Sequence, residues 1–503
     1  MGVRGLASLR RLALLSLALV AARPARGEED GGAPDLSVDP ARAASIFQYA
    51  APQSAHPLRA TLEIGAGFAY QFVVYLGRPS HSAVESEQLY YPRDKLLHGA
   101  WAFDANQART NYGGHPLAGA FYYLVARGNR LGVLASSFAA VASSTLWEIT
   151  EYHEQGSIND MVVTPVGGIS IGEPLAQLSA FLEQRDAGGA DRAFAWVFQP
   201  FKKAHDLWDG AAVARRPEAL AWHGLSIGAR AGSVLRAGAW SPEGGLALSS
   251  SLVRGLGYGA AGSGSATFAD ANATSIAGYV LAAHDGLTSA RLESDVGLAG
   301  VYARDIGEGG AGHDVMVSVG MGYEVTMRNH DPAVAPDWWS LVRVPGVEVA
   351  WRSLGGAVPL LASVRGALTF GGIHSLVLAA SPRVVPPADL PTAARAYGYY
   401  HAIGLAAAGR IEASPGPLRL GVRGRYDDLH GFDAGARDPE PVPGARPAAL
   451  GDRRGEARGY ARLSLGDVEV GVEVVREWAW GRVADAERSA RTTDVLLTVE
   501  VVR

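Results

Sequence analysis

The sequence predicts an α+β protein, with a small N-terminal helical module followed by a C-terminal antiparallel transmembrane β-barrel of about 12 strands. Three observations predict it. From about residue 225 onward, one alternating segment follows another, and several run well past the roughly six residues usual in soluble strands. The residues between the apolar ones mix Gly, Ser, Arg, Asp and Glu, which suits a narrow lumen of paired charges. The N-terminus reads as an export signal, and the chain has no Cys.

The signal comes first. Arg4, Arg10 and Arg11 form a basic stretch, residues 12–22 form a short apolar core, and Ala25 and Gly27 are the small residues before a cleavage site at Glu28. Such a core is too short to span a bilayer. The expected divisions are a signal peptide at 1–27, a flexible leader at 28–57 and a possible first strand at 58–76. A helical module at 77–185, a connector at 186–220 and the barrel at 221–503 follow. An exported chain without disulfides must rely on a large core or a closed barrel. Of the residues, 48% are hydrophobic and 19% charged, which argues against disorder, and the net charge of -5 gives no electrostatic case for nucleic acid.

Residues 60–76 alternate. Leu62, Ile64, Ala66, Phe68, Tyr70 and Phe72 fall on one face, which predicts a strand. The period then turns helical. A short helix is expected over 94–106. Another starts at His115-Pro116, where the missing proline N–H costs nothing. A long apolar helix spans 131–152, and its Ala and Ser content suits close helix packing better than a membrane crossing. A last helix is expected over 173–184.

In the barrel region, Val315, Val317, Val319, Met321, Tyr323, Val325 and Met327 alternate with small and polar residues. Val468, Val470, Val472 and Val474 alternate with Asp467, Glu469, Gly471 and Glu473. Trp338, Trp339, Trp351, Tyr399, Tyr400, Trp478 and Trp480 are candidates for the aromatic girdles of such barrels. The charged, Pro-rich stretch 431–457 suits an extracellular loop.

The helical module holds the densest polar chemistry. His115, Glu148, Glu151 and Asp160 are the candidate catalytic residues, because His and carboxylates supply general acid–base chemistry. Asp94, His98, Asp104, Asn106, Arg127, Asn159 and Glu173 are candidates for a binding or structural polar network. Nothing predicts a metal or a cofactor, since H-E-x-x-H and Glu-x-x-His are missing.

The string WAFDANQARTNYGGHPLAGAFYYLVARGNR, followed by WEITEYHEQGSINDMVVTPVGGISIGE, resembles a bacterial family of unknown function, domain of unknown function 3943. The match runs through Phe103, Asp104, Asn106, Gln107, His115, Pro116, Gly119, Tyr122, Tyr123, Ala126, Arg127, Asn129, Trp147, Glu148, Ser157, Asn159, Asp160, Gly167, Gly168, Gly172 and Glu173. It covers about residues 95–180, and Gly156 stands where the family pattern expects Pro. The resemblance implies no activity. Asp94-Lys95-x-x-His98, with a later Glu and Asp160, is also similar to VanZ-like helical proteins, which implies a small bundle near a membrane.

The expected function is a structural, pore or anchoring role in the Gram-negative outer membrane, with the helices plugging the lumen or docked in the periplasm. The expected partners are outer-membrane lipid and the barrel-assembly machinery, without nucleic acid. Two alternatives are a hydrolase or transferase acting on an envelope lipid or glycan through the His/Glu/Asp cluster, and a scaffold for another envelope protein.

Overall fold

The computed structural model describes residues 49–77, 89–104, 106–184, 188–213, 221–334, 336–380, 392–431 and 449–502. The expected signal peptide and most of the leader lie outside them. The module comprises α1 (Pro57–Leu76), α2 (Pro92–His98), α3 (His115–Gly128), α4 (Val133–Thr150), α5 (Asp160–Gln184), α6 (Gly189–Phe198) and α7 (Pro200–Asp209). A π-turn at Thr110–Gly114 leads into α3, and β1 (Trp101–Ala102) pairs in parallel with β2 (Gly156–Ser157).

The barrel strands are β3 (Ala221–Arg236), β4 (Ala239–Arg254), β5 (Gly262–Phe268), β6 (Ala273–Ala283), β7 (Gly286–Ile306), β8 (Gly312–Arg328), β9 (Asp337–Leu354), β10 (Leu360–His374), β11 (Tyr400–Ala413), β12 (Leu418–Gly431), β13 (Leu450–Leu465), β14 (Val468–Val483) and β15 (Ala486–Val502). All pairings among them are antiparallel. The last strand, β15, pairs with the first, β3, and β7 pairs with β8, so the wall closes. β5 is the extra strand, continuing the pairing of β7 beyond the start of β6. Twelve strands therefore form the closed ring, as expected.

Alternation sorts the side chains across the wall. Val470, Val472 and Val474 point outward and are exposed, while Glu469, Glu473 and Glu477 between them are buried inside. The inward charges meet across the barrel. Arg328 of β8 lies 2.7 Å from Glu477 of β14 and 2.6 Å from Asp494 of β15, and Arg291 of β7 pairs with Glu456 of β13. Glu324 of β8 takes Arg425 of β12 at 2.5 Å. A short helix, α8 (Leu376–Ala380), sets Val377 and Leu378 against Trp339, Leu341 and Tyr400 at one end of the interior. The space beside Arg291 and Glu477 holds about 20 Å³, room for one water molecule.

The module is neither a lumen plug nor a body below the barrel, as the sequence had suggested. It lies against the outer wall. Inward Glu324, Arg343 and Arg365 fix the parity of their strands, so Tyr323, Val342 and Phe370 must point outward, and these are the residues the module covers. The covered line follows the strand pairing through Leu225, Ser250, Ile276, Ser294, Tyr323, Val342 and Phe370. On the same outward faces, Leu246, Val280, Val317, Val319, Leu368 and Ile403 remain exposed. Six strand spacings of about 4.8 Å, on strands tilted about 40°, carry that line through roughly 20 Å of the barrel's height. α5 is the contact helix, packing on β4, β6, β7, β8 and β9.

Other expectations change as well. Residues 57–76 form a helix, not a strand. Burial there recurs at Ala60, Glu63, Ile64, Gly67, Phe68, Gln71, Phe72 and Tyr75, a 3.6-residue stripe. Apolar Leu62, Tyr70 and Val73 on the opposite face had imitated a period of two. The expected helix at 94–106 is only Pro92–His98, while the one at 173–184 begins at Asp160 and runs through Pro165 and Pro174. The connector is largely helical, as α6 and α7. Residues 450–457, placed in a loop, belong to β13. Of the girdle candidates, Trp351 and Trp478 are exposed outward, whereas Trp339 and Tyr400 turn inward and Tyr399 holds the module. Among the described residues, no helix is long and apolar enough to cross a membrane.

Candidate functional site

The site grows out of one close helix crossing. A Cβ on Gly119 of α3 would lie 1.9 Å from the Thr164 carbonyl oxygen of α5, and one on Gly168 would lie 2.6 Å from Gly119 Cα. Glycine at both positions lets the backbones touch. Beside this crossing a buried polar bundle locks the two helices. Arg127 grips Glu173 with two nitrogens at 2.8 and 3.0 Å, Tyr123 donates to Glu173 at 2.8 Å, and Gln177 donates both to Glu173 and to the Ala271 carbonyl.

At the other end of the crossing, the N-termini of α3 and α5 bring His115 and Asp160 together, with His115 Nε2 3.5 Å from Asp160 Oδ2. Asn159 donates to Asp160 at 2.9 Å and accepts from the Asp104 backbone N–H at 2.6 Å. The Asp104 carboxylate accepts from the Asn106 backbone and side chain at 2.7 and 2.6 Å. The loop carrying these residues is fastened to the barrel wall. His401 Nε2 is 2.8 Å from the Asp104 carbonyl, and Tyr323 and Ser340 both donate to the Tyr112 carbonyl, at 2.7 and 2.9 Å. Because a carbonyl only accepts, His401 carries its proton on Nε2 and Nδ1 accepts from the Tyr112 hydroxyl.

These elements enclose a cavity of about 720 Å³. All four catalytic candidates, His115, Glu148, Glu151 and Asp160, line it, as do Asp104, Asn106 and Glu154. Asn159 stands behind them, and Arg127 and Glu173 belong to the separate bundle. Asp94 and His98 do not join: they pair with each other on α2 at 3.5 Å, and Asp94 closes the start of that helix through the Tyr91 backbone. That backbone hydrogen bond lowers the Asp94 pKa. Lys95, by contrast, is buried and donates to the carbonyls of Glu148 and Glu151 at the end of α4, where a cation suits the helix dipole.

Glu148 is 1% exposed and accepts the Ser157 N–H at 2.6 Å. Burial pushes its pKa well above the ordinary 4.5, and the carboxylates of Asp160 and Glu151 push the same way. Burial also lowers the pKa of His115, outweighing Asp104 and Glu154. Both shifts run toward the uncharged forms of Glu148 and His115. Tyr70, Gln71, Val74 and Tyr75 of α1, and Arg109, Thr164 and Tyr397, also line it. The α1 residues were missed because that segment read as a strand. No residue-level signal marked Thr164.

Fold and site together define an outer-membrane-type β-barrel that carries a helical module on its outer wall. Residues 100–201 match the family described as domain of unknown function (DUF3943), a span that includes most of the cavity lining and the α3–α5 crossing. No curated protein matches the chain. Among solved structures, the β domain of the Bordetella autotransporter BrkA is 13% identical, covering 56% of this chain and 98% of its own at a TM-score of 0.22. The translocator domain of autotransporter NalP from Neisseria meningitidis is 11% identical, covering 62% and 97% at 0.22. The outer membrane channel DcaP of Acinetobacter baumannii is 10% identical, covering 56% and 97% at 0.21. Superpositions this loose say nothing about role.

Proposed function

We propose that the protein is exported through a cleaved signal peptide, inserted by the barrel-assembly machinery, and serves in the outer membrane as an anchor that holds its helical module beside the barrel in the lipid. The carrying observation is the interior crossed by ion pairs, where Arg291, Arg328 and Glu324 bridge to opposite strands. A solute path would break buried pairs, at several kcal/mol each. The module's placement is supported by its outer surface. Leu134 (85% exposed), Phe138 (71%) and Val141 form one apolar face of α4, and residues 133–147 carry no charge. Lipid is the partner that face suits. Planar-bilayer recording tests the anchor reading. The purified chain should give no stable open-channel conductance, and reproducible porin-sized steps would sink it.

The cavity favours a second reading, an enzyme acting on an envelope lipid or glycan, because His115 and Asp160 meet over open space next to Glu148, whose pKa burial raises. Mass spectrometry of envelope lipids and glycans tests it. A species lost on deletion, restored by the wild-type gene but not by His115→Ala, would favour chemistry. Identical profiles in all three strains would leave binding alone.

A further inference from the structure

The cavity sorts its lining by charge. Glu148, Glu151, Glu154 and Asp160 form its interior, while exposed Arg109 and Gln107 stand at its rim. Tyr70, Tyr75 and Trp147 line the same space, and aromatic faces attract organic cations. A second, independent sign points to an occupant. Thr164 is 97% buried and borders the cavity, yet its hydroxyl has no hydrogen-bond partner. The volume lies within the range of pockets for small organic ligands, well beyond the needs of a bare ion. A cation entering among Glu148, Glu151 and Asp160 would offset the carboxylate repulsion that disfavours ionised Glu148. On α1, exposed Tyr70 and Val74 lead from the cavity to Val73, Leu62 and Leu58, an apolar track.

We propose that this cavity binds the head of a zwitterionic phospholipid, with its ammonium group among Glu148, Glu151 and Asp160 beside Trp147, its phosphate at Arg109, and its acyl chains along the exposed face of α1. The proposal rests on the reading that the module lies in lipid against the outer wall. It needs no chemistry, and it holds for a lipid carrier, a lipid-regulated anchor or an enzyme.

Calorimetry on the full chain in non-ionic maltoside micelles tests it, with dihexanoyl phosphatidylethanolamine as the probe. Saturable binding is expected, with dihexanoyl phosphatidylglycerol at least about tenfold weaker, since loss of one charged hydrogen bond costs on the order of tenfold. Glu151→Gln and Arg109→Ala should each weaken binding by a similar factor. Equal binding of the glycerol lipid overturns ammonium recognition. Free phosphoethanolamine binding as tightly as the lipid overturns the lipid source. Undiminished binding in both variants, or no binding at all, overturns the site. The underlying placement is read separately. The chain has no native Cys, so a nitroxide on Phe138→Cys in nanodiscs reports α4 alone. Contact with oxygen but not with a water-soluble nickel complex supports the outer-wall reading even if the headgroup fails to bind, whereas the reverse pattern removes that reading itself.

Discussion

At the scale of single residues, the cavity and the locking bundle respond in opposite ways to losing a charge. Glu148 prefers its neutral form, since burial and two neighbouring carboxylates oppose ionisation. Its folded pKa lies above its unfolded value. The stability it contributes is therefore complete below about pH 4.5 and is lost as pH rises through the folded pKa. Glu148→Gln keeps an acceptor for Ser157 and cannot ionise. We expect it to fold normally and to flatten the decline in helix stability as pH rises above the ordinary carboxylate range, as followed by hydrogen exchange of residues 133–150. An unchanged slope would show that Glu148 does not titrate there. Arg127→Met acts otherwise. It strands Glu173, buried and holding Tyr123 and Gln177, and should cost about 3–5 kcal/mol. Loss of protection across α3 and α5 together would register it. The sequence made Glu148, Asp160 and His115 visible as polar residues on apolar segments. It did not show that Arg127 and Glu173 form a separate structure, because pairing across helices depends on the crossing at Gly119 and Gly168.

At the scale of elements, the legible features were those where one period dominates. β14 alternates strictly, so its inward Glu469, Glu473 and Glu477 were readable from sequence. α1 was not, because its exposed face is as apolar as its buried one and both periods fit. α5 was cut short because Gly167, Gly168 and two prolines resemble a turn, whereas the glycines are demanded by backbone contact. These causes have consequences. Gly168→Val would drive side-chain atoms into the Gly119 backbone, which cannot yield, and we expect the module to detach while the barrel stays folded. Limited proteolysis cutting within 100–184 but sparing 221–502 would show it. α1 is held at its start by Asp209 of α7, which Arg59 contacts at 2.8 Å and Arg130 also at 2.8 Å. Hydrogen bonds from Arg59 lower the Asp209 pKa to about 2. This contribution is present above the ordinary value of 3.8 and is lost as pH falls toward 2, so acid should raise exchange in residues 57–76 earlier than in α5. Asp209→Asn should reproduce that loosening at neutral pH.

At the scale of the whole molecule, the sequence could not say which side of the wall the module occupies, because a helix covering the outer face is met by the same apolar alternation that lipid would meet. Tyr323 belongs to the apolar alternation of its strand and is covered by protein instead, as are Val342 and Phe370. The interior was better announced, since charged residues recurring at every second position of long strands have nowhere to go but a lumen. That interior is wired across the diameter. Arg328 alone joins β8 to β14 and β15, with Thr492 at 2.8 Å as a third partner. Arg328→Ala leaves Glu477 and Asp494 buried with one cation fewer and opens space where a side chain had crossed. Two outcomes should come together: a lower unfolding temperature on heated gels, where folded barrels migrate faster, and small, irregular conductance beyond that of the wild type. Adding Glu477→Gln and Asp494→Asn should recover much of the thermal stability, because the uncompensated charges go, but should not reseal the interior. Recovery of both properties would mean that the network blocks passage by charge alone, and recovery of neither would mean that Arg328 matters to assembly rather than to the finished barrel.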